Sequence, residues 1–211
     1  TGNIKLNKID FSYNKSDFLF RNLNISINPG QLFCLSGSNG SGKTTLSKIL
    51  MGILEPNAGE VLVDGTNLNK LSLKWWKKQV SYIPQNPNIL NSSIMDNILL
   101  GNDKLNEQEV SRLLQTVGLD QKLKKTSLTI LDPIEDNLSK GVKKKIHYAR
   151  ALAQNSKIFI IDDPFGYLDN QGVQIVQKII ESFKRANKTV ILFSDNNILS
   201  NVIDENIRIG N

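Results

Sequence analysis

Apolar and polar side chains alternate through residues 4–13 and again through 23–27, the two-residue period of strands with one buried face. "VLVDG" at 61–65 repeats the pattern and ends in a turn signal, so the first quarter of the chain is strand-rich. The period then changes. "QLFCLSG" is a short continuous apolar run, and "SNGSGKTTLSKILMGIL" after it carries a Gly-rich turn into an amphipathic helix, which together make a βα unit. Beyond "SYIPQNPNIL" the spacing is helical to roughly residue 123, with Gly118 near the end of "NEQEVSRLLQTVGL". A further helix is predicted through "VKKKIHYARALAQ". Two unbroken apolar strands follow, "KIFIID" and "TVILFSD", with a helical stretch over 172–186 between them. Apolar strands without alternation, joined through a helix, imply a parallel sheet covered on both faces, hence an α/β fold.

Composition narrows the function classes. With 211 residues and 39% hydrophobic content, the chain can bury a core of its own. The formal charge of +6 permits nucleic acid or an anionic surface as a partner, but the basic residues are dispersed except in "KKK" at 143–145, which reads as the continuation of a basic helix face. Cys34 is the only cysteine and sits inside an apolar run, so it reads as a small core residue in a reducing compartment. No apolar run approaches the ~18 residues of a membrane span, and the start shows no signal-peptide pattern. The opening "TGNIKL", without Met, suggests a domain of a longer polypeptide.

The chemistry concentrates in two places. "GSNGSGKT" at 37–44 fits G-x-x-x-x-G-K-[ST] between a strand and a helix. Gly37, Gly40 and Gly42 let the backbone turn tightly, so that the N–H groups of Ser38, Asn39, Ser41 and the helix start, through Thr45, face phosphate oxygens. In such a loop Lys43 reaches the β- and γ-phosphates of a ligand and the Thr44 hydroxyl can ligate Mg²⁺. The second place is "IFIIDDPFGYLD" at 158–169, a buried strand that stops at two acids. A strand ending in an acid lies beside the phosphate loop in such folds, and Asp162 is accordingly the Mg²⁺ candidate.

Taken together the motifs resemble the nucleotide-binding domain of ABC transporters over nearly the whole chain. The resemblance implies a P-loop NTPase core with a mainly parallel buried sheet, an antiparallel β subdomain and a helical subdomain. It divides the chain into 1–84 (β subdomain and phosphate loop), 85–156 (Q-loop and helical subdomain) and 157–211 (Walker B core). "YIPQNP" is similar to the Q-loop, with Gln85 near Mg²⁺ and the attacking water. "LSKGVKKKIHYARAL" resembles the signature helix, so that Ser139, Lys140 and Gly141 would face the ATP of a second domain. Asp169 falls in the D-loop, and Tyr13 matches the aromatic that stacks on adenine. "NPNILNSSIMDNILLGN", with Leu90, Ile94 and Asp96 to Ile98 at their spacing, is similar to the exporter type and argues against the soluble ABC ATPases. By the same resemblance two such domains close head to tail, a membrane-spanning part is fused upstream, and the domain lies at the cytoplasmic face of a membrane.

Four departures stand out. The usual catalytic Glu is Asp163, one methylene and about 1.5 Å shorter, and misplacement by ~1 Å can cost ~10²-fold, so hydrolysis is expected to be slow. The switch histidine is replaced by Asp195, which would repel a γ-phosphate ~4 Å away by up to ~4 kcal/mol at an effective dielectric near 20. Asp195 must therefore turn away, take a proton or recruit a cation. The signature carries Lys140 at its first Gly and Val142 at its Gln; Lys140 either reaches the opposing γ-phosphate or is solvated. His147, the only histidine, lies about two turns beyond Ser139 and reads as a partly exposed helix residue. The lead-in "TSLTILDPIEDN" lacks the family's usual glycine. Three readings remain: an exporter ATPase domain with Asp163, Gln85, Lys43 and Asp195 as catalytic-site candidates; a non-hydrolysing module paired with a more complete partner domain; and a soluble ABC ATPase acting on nucleic acid, which is not expected.

Overall fold

A computed structural model describes residues 2–14, 17–100, 105–119 and 138–210. The alternating segments form an antiparallel sheet in the order β2-β1-β4-β5, from β1 (Ile4–Ser12), β2 (Phe18–Ile27), β4 (Ala58–Val63) and β5 (Thr66–Asn67). Ile4 pairs with Ile27 and Val63, and Leu6 with Ile25 and Val61, so one face is apolar and buried while the other is wet. The unbroken apolar runs form a parallel sheet in the order β6-β7-β8-β3-β9, from β6 (Val80–Ile83), β7 (Ile158–Asp162), β8 (Thr189–Phe193), β3 (Leu32–Ser36) and β9 (Glu205–Arg208).

The register explains why these runs do not alternate in the sequence. Ile83, Ile161, Leu192 and Cys34 lie in one row facing the core under the helices. The next row, Tyr82, Ile160, Ile191 and Phe33, faces a second core shared with the antiparallel sheet. Both faces are buried, as the composition of the strands requires. Cys34 is a core residue, its thiol donating to Ser194 O at 3.5 Å and its pKa pushed up by burial to about 11.

Six α-helices lie among the described residues: α1 (Lys43–Leu50), α2 (Leu73–Gln79), α3 (Ile94–Leu99), α4 (Glu107–Thr116), α5 (Lys140–Gln154) and α6 (Asn170–Arg185). Capping boxes start α3 (Ser93 with Asp96) and α4 (Asn106 with Glu109), and Gly118 follows α4 at φ +68°. Phe159 of β7 stacks on Phe183 of α6 at 3.9 Å between ring centroids, which seats that helix on the sheet. β7 is not the neighbour of β3, because β8 runs between them, and the acid at the end of β7 reaches the phosphate loop across that strand. The lead-in at 126–137 lies outside the described residues. No described helix is long and apolar enough to cross a membrane.

Candidate functional site

Four parallel strands deliver their carboxyl ends to one edge of the sheet, and each ends in a residue singled out above. β6 runs into Gln85, β7 into Asp162 and Asp163, β8 into Asp195 and β3 into the phosphate loop. Gly40 (φ +86°) and Gly42 (φ +95°) make the left-handed turns of the loop; a Cβ on Gly42 would stand 2.5 Å from the Phe20 ring. Helix α1 begins at Lys43 with no side-chain cap, which leaves its first N–H groups to the pocket in front of it. That pocket, about 610 Å³, is lined by Ser38 through Thr45 with Tyr13, Gln85, Asp162, Asp163 and Asp195. Gly37 stands at its back, its α-carbon against Ile209 O and the Ser41 hydroxyl.

The acids have distinct surroundings. Thr44 Oγ1 donates to Asp162 Oδ2 at 2.7 Å, which brings two hard oxygen donors together beside Gln85. No larger cluster of metal-ligating side chains exists among the described residues. A hydroxyl, one carboxylate and an amide, open to substrate phosphates, are the donor set that suits Mg²⁺. Burial raises the pKa of Asp162, while the Thr44 bond and the nearby Lys144 draw it down; the balance is upward. Asp163 is half-buried at φ +51°, a left-handed conformation that Asp tolerates better than most residues, and its carboxylate lies over Gly166, where a Cβ would meet Oδ2 at 2.2 Å. Asp195 has recruited a cation from the loop itself: Oδ2 accepts from Lys43 Nζ at 2.7 Å and Oδ1 from Gly37 N–H at 2.6 Å. At the other end of the pocket the Tyr13 hydroxyl shares a hydrogen bond with Thr45 Oγ1 at 2.9 Å, and its exposed ring stands edge-on to Phe11.

The family model described as ABC transporter matches residues 20–166, from β2 to the turn beyond Asp163. The chain belongs to the ABC transporter family. It is 34% identical over 188 residues to ABC transporter B family member 26, chloroplastic, of Arabidopsis thaliana, covering 86% of this chain and 27% of the relative. It is 30% identical over 195 residues to ABC transporter B family member 13 of the same plant, covering 90% of this chain and 16% of the relative. The chain thus spans less than a third of either relative. A solved bacterial Atm1-family ABC exporter with ATP bound superposes with a TM-score of 0.88 at 20% identity, over 99% of this chain and 37% of that one, which is a likeness of fold.

In this ABC transporter domain the signature residues do not line the chain's own nucleotide pocket. Ser139 caps α5 by accepting from Val142 N–H, and Gly141 must be bare, since a Cβ there would lie 2.6 Å from Tyr167 O. Lys140 is exposed, with Nζ 4.6 Å from the centre of the Tyr167 ring, whose hydroxyl donates to Asn86 Oδ1 at 2.8 Å. Asp169 caps α6 by accepting from Gly172 N–H at 2.8 Å.

Two expectations on α5 are overturned. The lysine run is not an exposed basic face, for Lys144 and Lys145 are buried. Lys144 donates to Pro84 O (2.8 Å) and Asp162 O (3.0 Å), tying the residue before Gln85 to the end of β7; burial lowers its pKa to about 8, and Asp163 and Asp162 pull it back up. Helical spacing carried the signal, because Lys144 shares a face with the buried Tyr148 and Ala151. His147 is likewise buried, not partly exposed; Nε2 donates to Asn88 O at 2.8 Å while Nδ1 has no partner among the described residues. Arg150 Nε to Asn97 O (2.6 Å) and Gln154 Nε2 to Leu100 O (3.0 Å) continue the same face.

Burial, then the neighbouring Arg150, lower the His147 pKa from 6.5 to about 4, against the pull of the Asn88 carbonyl; Lys144 adds to the lowering. The unfolded chain therefore takes up a proton as pH falls through 6.5, while the folded chain stays neutral until about 4. Stability is lost on acidification across that window, by about 2 kcal/mol at pH 5. Urea unfolding at pH 7 and pH 5 should show that loss in the wild type and not in His147→Gln, which keeps a donor for Asn88 O.

Proposed function

We propose that this chain is the ATP-binding domain of an ABC exporter, in which Mg-ATP binding, head-to-tail closure on a second nucleotide-binding domain and slow hydrolysis drive transport. The observation that carries the reading is the convergence of a phosphate loop, a Thr44–Asp162 oxygen pair, Gln85 and Asp163 on one pocket with an aromatic ring at its far end. Tyr13 stacks on the base, the loop amides from Ser38 to Thr45 hold the phosphates, and Lys43 bridges the outer two. Thr44, Asp162 and Gln85 would hold Mg²⁺, which when bound neutralises charge on the β- and γ-phosphates. Asp163 holds the attacking water and accepts its proton, with the carboxylate one methylene short of its task. The signature end of α5 lies outside the pocket, which supports a site completed by a partner domain through Ser139, Lys140 and Gly141. The exporter-like stretch, which α3 now places with Ile94 and Ile98 in the core, supports a membrane-spanning partner fused upstream and a position at the cytoplasmic face.

Steady-state Mg-ATP hydrolysis by the full-length protein tests this, with Lys43→Ala as the blank and ATP binding measured alongside. Slow turnover above that blank is the expected result. Tight binding with no turnover would favour the non-hydrolysing module paired with a complete partner. Absence of ATP binding would sink both.

A further inference from the structure

Of the three courses open to Asp195 it takes the last, recruiting a cation, and that cation is the group on which the phosphate loop most depends. A lysine ammonium has three N–H donors. In Lys43 each has an acceptor: Gly37 O, Ser38 O at 3.1 Å and Asp195 Oδ2 at 2.7 Å. The two carbonyls belong to the loop's own backbone, so of the three acceptors only the carboxylate is carried on a side chain free to leave. It has the room to do so, since the Asp195 side chain is 51% exposed whereas that of Lys43 is 16%. The carboxylate is held at both ends, because its second oxygen accepts the Gly37 N–H. Although burial alone would raise its pKa, the bonds from Lys43 and Gly37 bring the net shift downward, so it is an anion at neutral pH.

Orientation within the pocket sets which ligand feels that anion. A nucleotide with its base on Tyr13 points its last phosphate to the end where Asp162, Asp163 and Asp195 gather. A diphosphate stops short of that end, whereas a triphosphate brings one more charge into it. The Asp162–Asp163 end is served by Mg²⁺ in the reading above and by the buried Lys144. Among the described residues Asp195 is ion-paired to Lys43, the same cation the outer phosphates require, and Arg208 adds a weaker favourable charge.

We infer that Asp195 is a specificity-determining residue, a resident anion on Lys43 that lowers the preference of the site for nucleoside triphosphate over diphosphate. ATP must displace it and then remain beside it, while ADP meets only the competition for Lys43. The residue at the switch position therefore weakens retention of the triphosphate and favours retention of the diphosphate.

The inference rests on the nucleotide-binding reading, and titration of Mg-ATP and Mg-ADP into the full-length protein separates the two. Wild type is expected to bind ADP at least as tightly as ATP. In Asp195→Asn, ATP should tighten about tenfold and ADP by less than about threefold, since a neutral amide keeps the size and loses the charge. Asp195→Glu, which keeps the charge, should stay close to the wild-type ratio. Nucleotide binding with an unchanged ATP/ADP ratio in Asp195→Asn, or the same gain in Asp195→Glu, would overturn the inference and leave the binding reading intact. Failure of every form to bind either nucleotide would remove both.

Discussion

Asp163→Glu is expected to raise steady-state ATP turnover about 10- to 100-fold, because one added methylene restores the reach toward water that the shorter carboxylate lacks. The structure also indicates what accompanies the gain. Residue 163 sits at φ +51°, and its carboxylate lies against the α-carbon of Gly166, so the longer side chain must pass Gly166 toward the pocket. A left-handed Glu costs on the order of 1 kcal/mol more than Asp, and the variant should unfold slightly earlier while hydrolysing faster. Phosphate release by Asp163→Glu and wild type, each corrected with its own Lys43→Ala blank, measures the effect. An unchanged rate would show that reach is not limiting, and would direct attention to Asp195.

Lys144→Met should lower stability by about 3 kcal/mol. The substitution preserves the length and apolar stem of the side chain but leaves Pro84 O and Asp162 O without their donor, at roughly 1–3 kcal/mol for each buried acceptor. It also removes the cation nearest Asp162 and Asp163, although some of that loss is returned because a buried ammonium is itself poorly solvated. Thermal unfolding should fall by roughly 6–12 °C for a chain of this size. Lys144→Gln, which keeps a donor, should lose less. Equal losses in the two variants would mean that packing of the stem, not the bonds to the two carbonyls, is what matters.

What the sequence made legible follows from burial. β3, β7 and β8 are mainly apolar because both faces of the parallel sheet are covered, and the residues at their ends converge on one pocket. β9 and α2 left no comparable trace. β9 exposes three of its four residues at a sheet edge, and α2 buries only Trp76 among lysines, so neither imposes a period on its sequence. Of the candidate site, the phosphate loop and Asp162 were readable as motifs, since chemistry fixes both their residue types and their spacing, and Asp163 by its place directly after Asp162. The partner of Asp195 was not readable, because it depends on β8 lying beside β3, a fact of topology. Lys144 and His147 were misread for the opposite reason: residue type suggested solvent, whereas their period on α5 pointed inward.

Lys144, His147, Arg150 and Gln154 each donate to a backbone carbonyl, at Pro84, Asn88, Asn97 and Leu100, and Arg150 donates to Asn97 Oδ1 as well. A carbonyl has no rotamer of its own, so whatever play exists between α5 and residues 84–100 lies in the four donor side chains, of which Lys144 and His147 are buried. A displacement of residues 84–100 therefore acts on α5 at four places along its length. Mechanically the pair is a rack bolted to its beam at four points, and the Lys144 bolt is also fixed to Asp162.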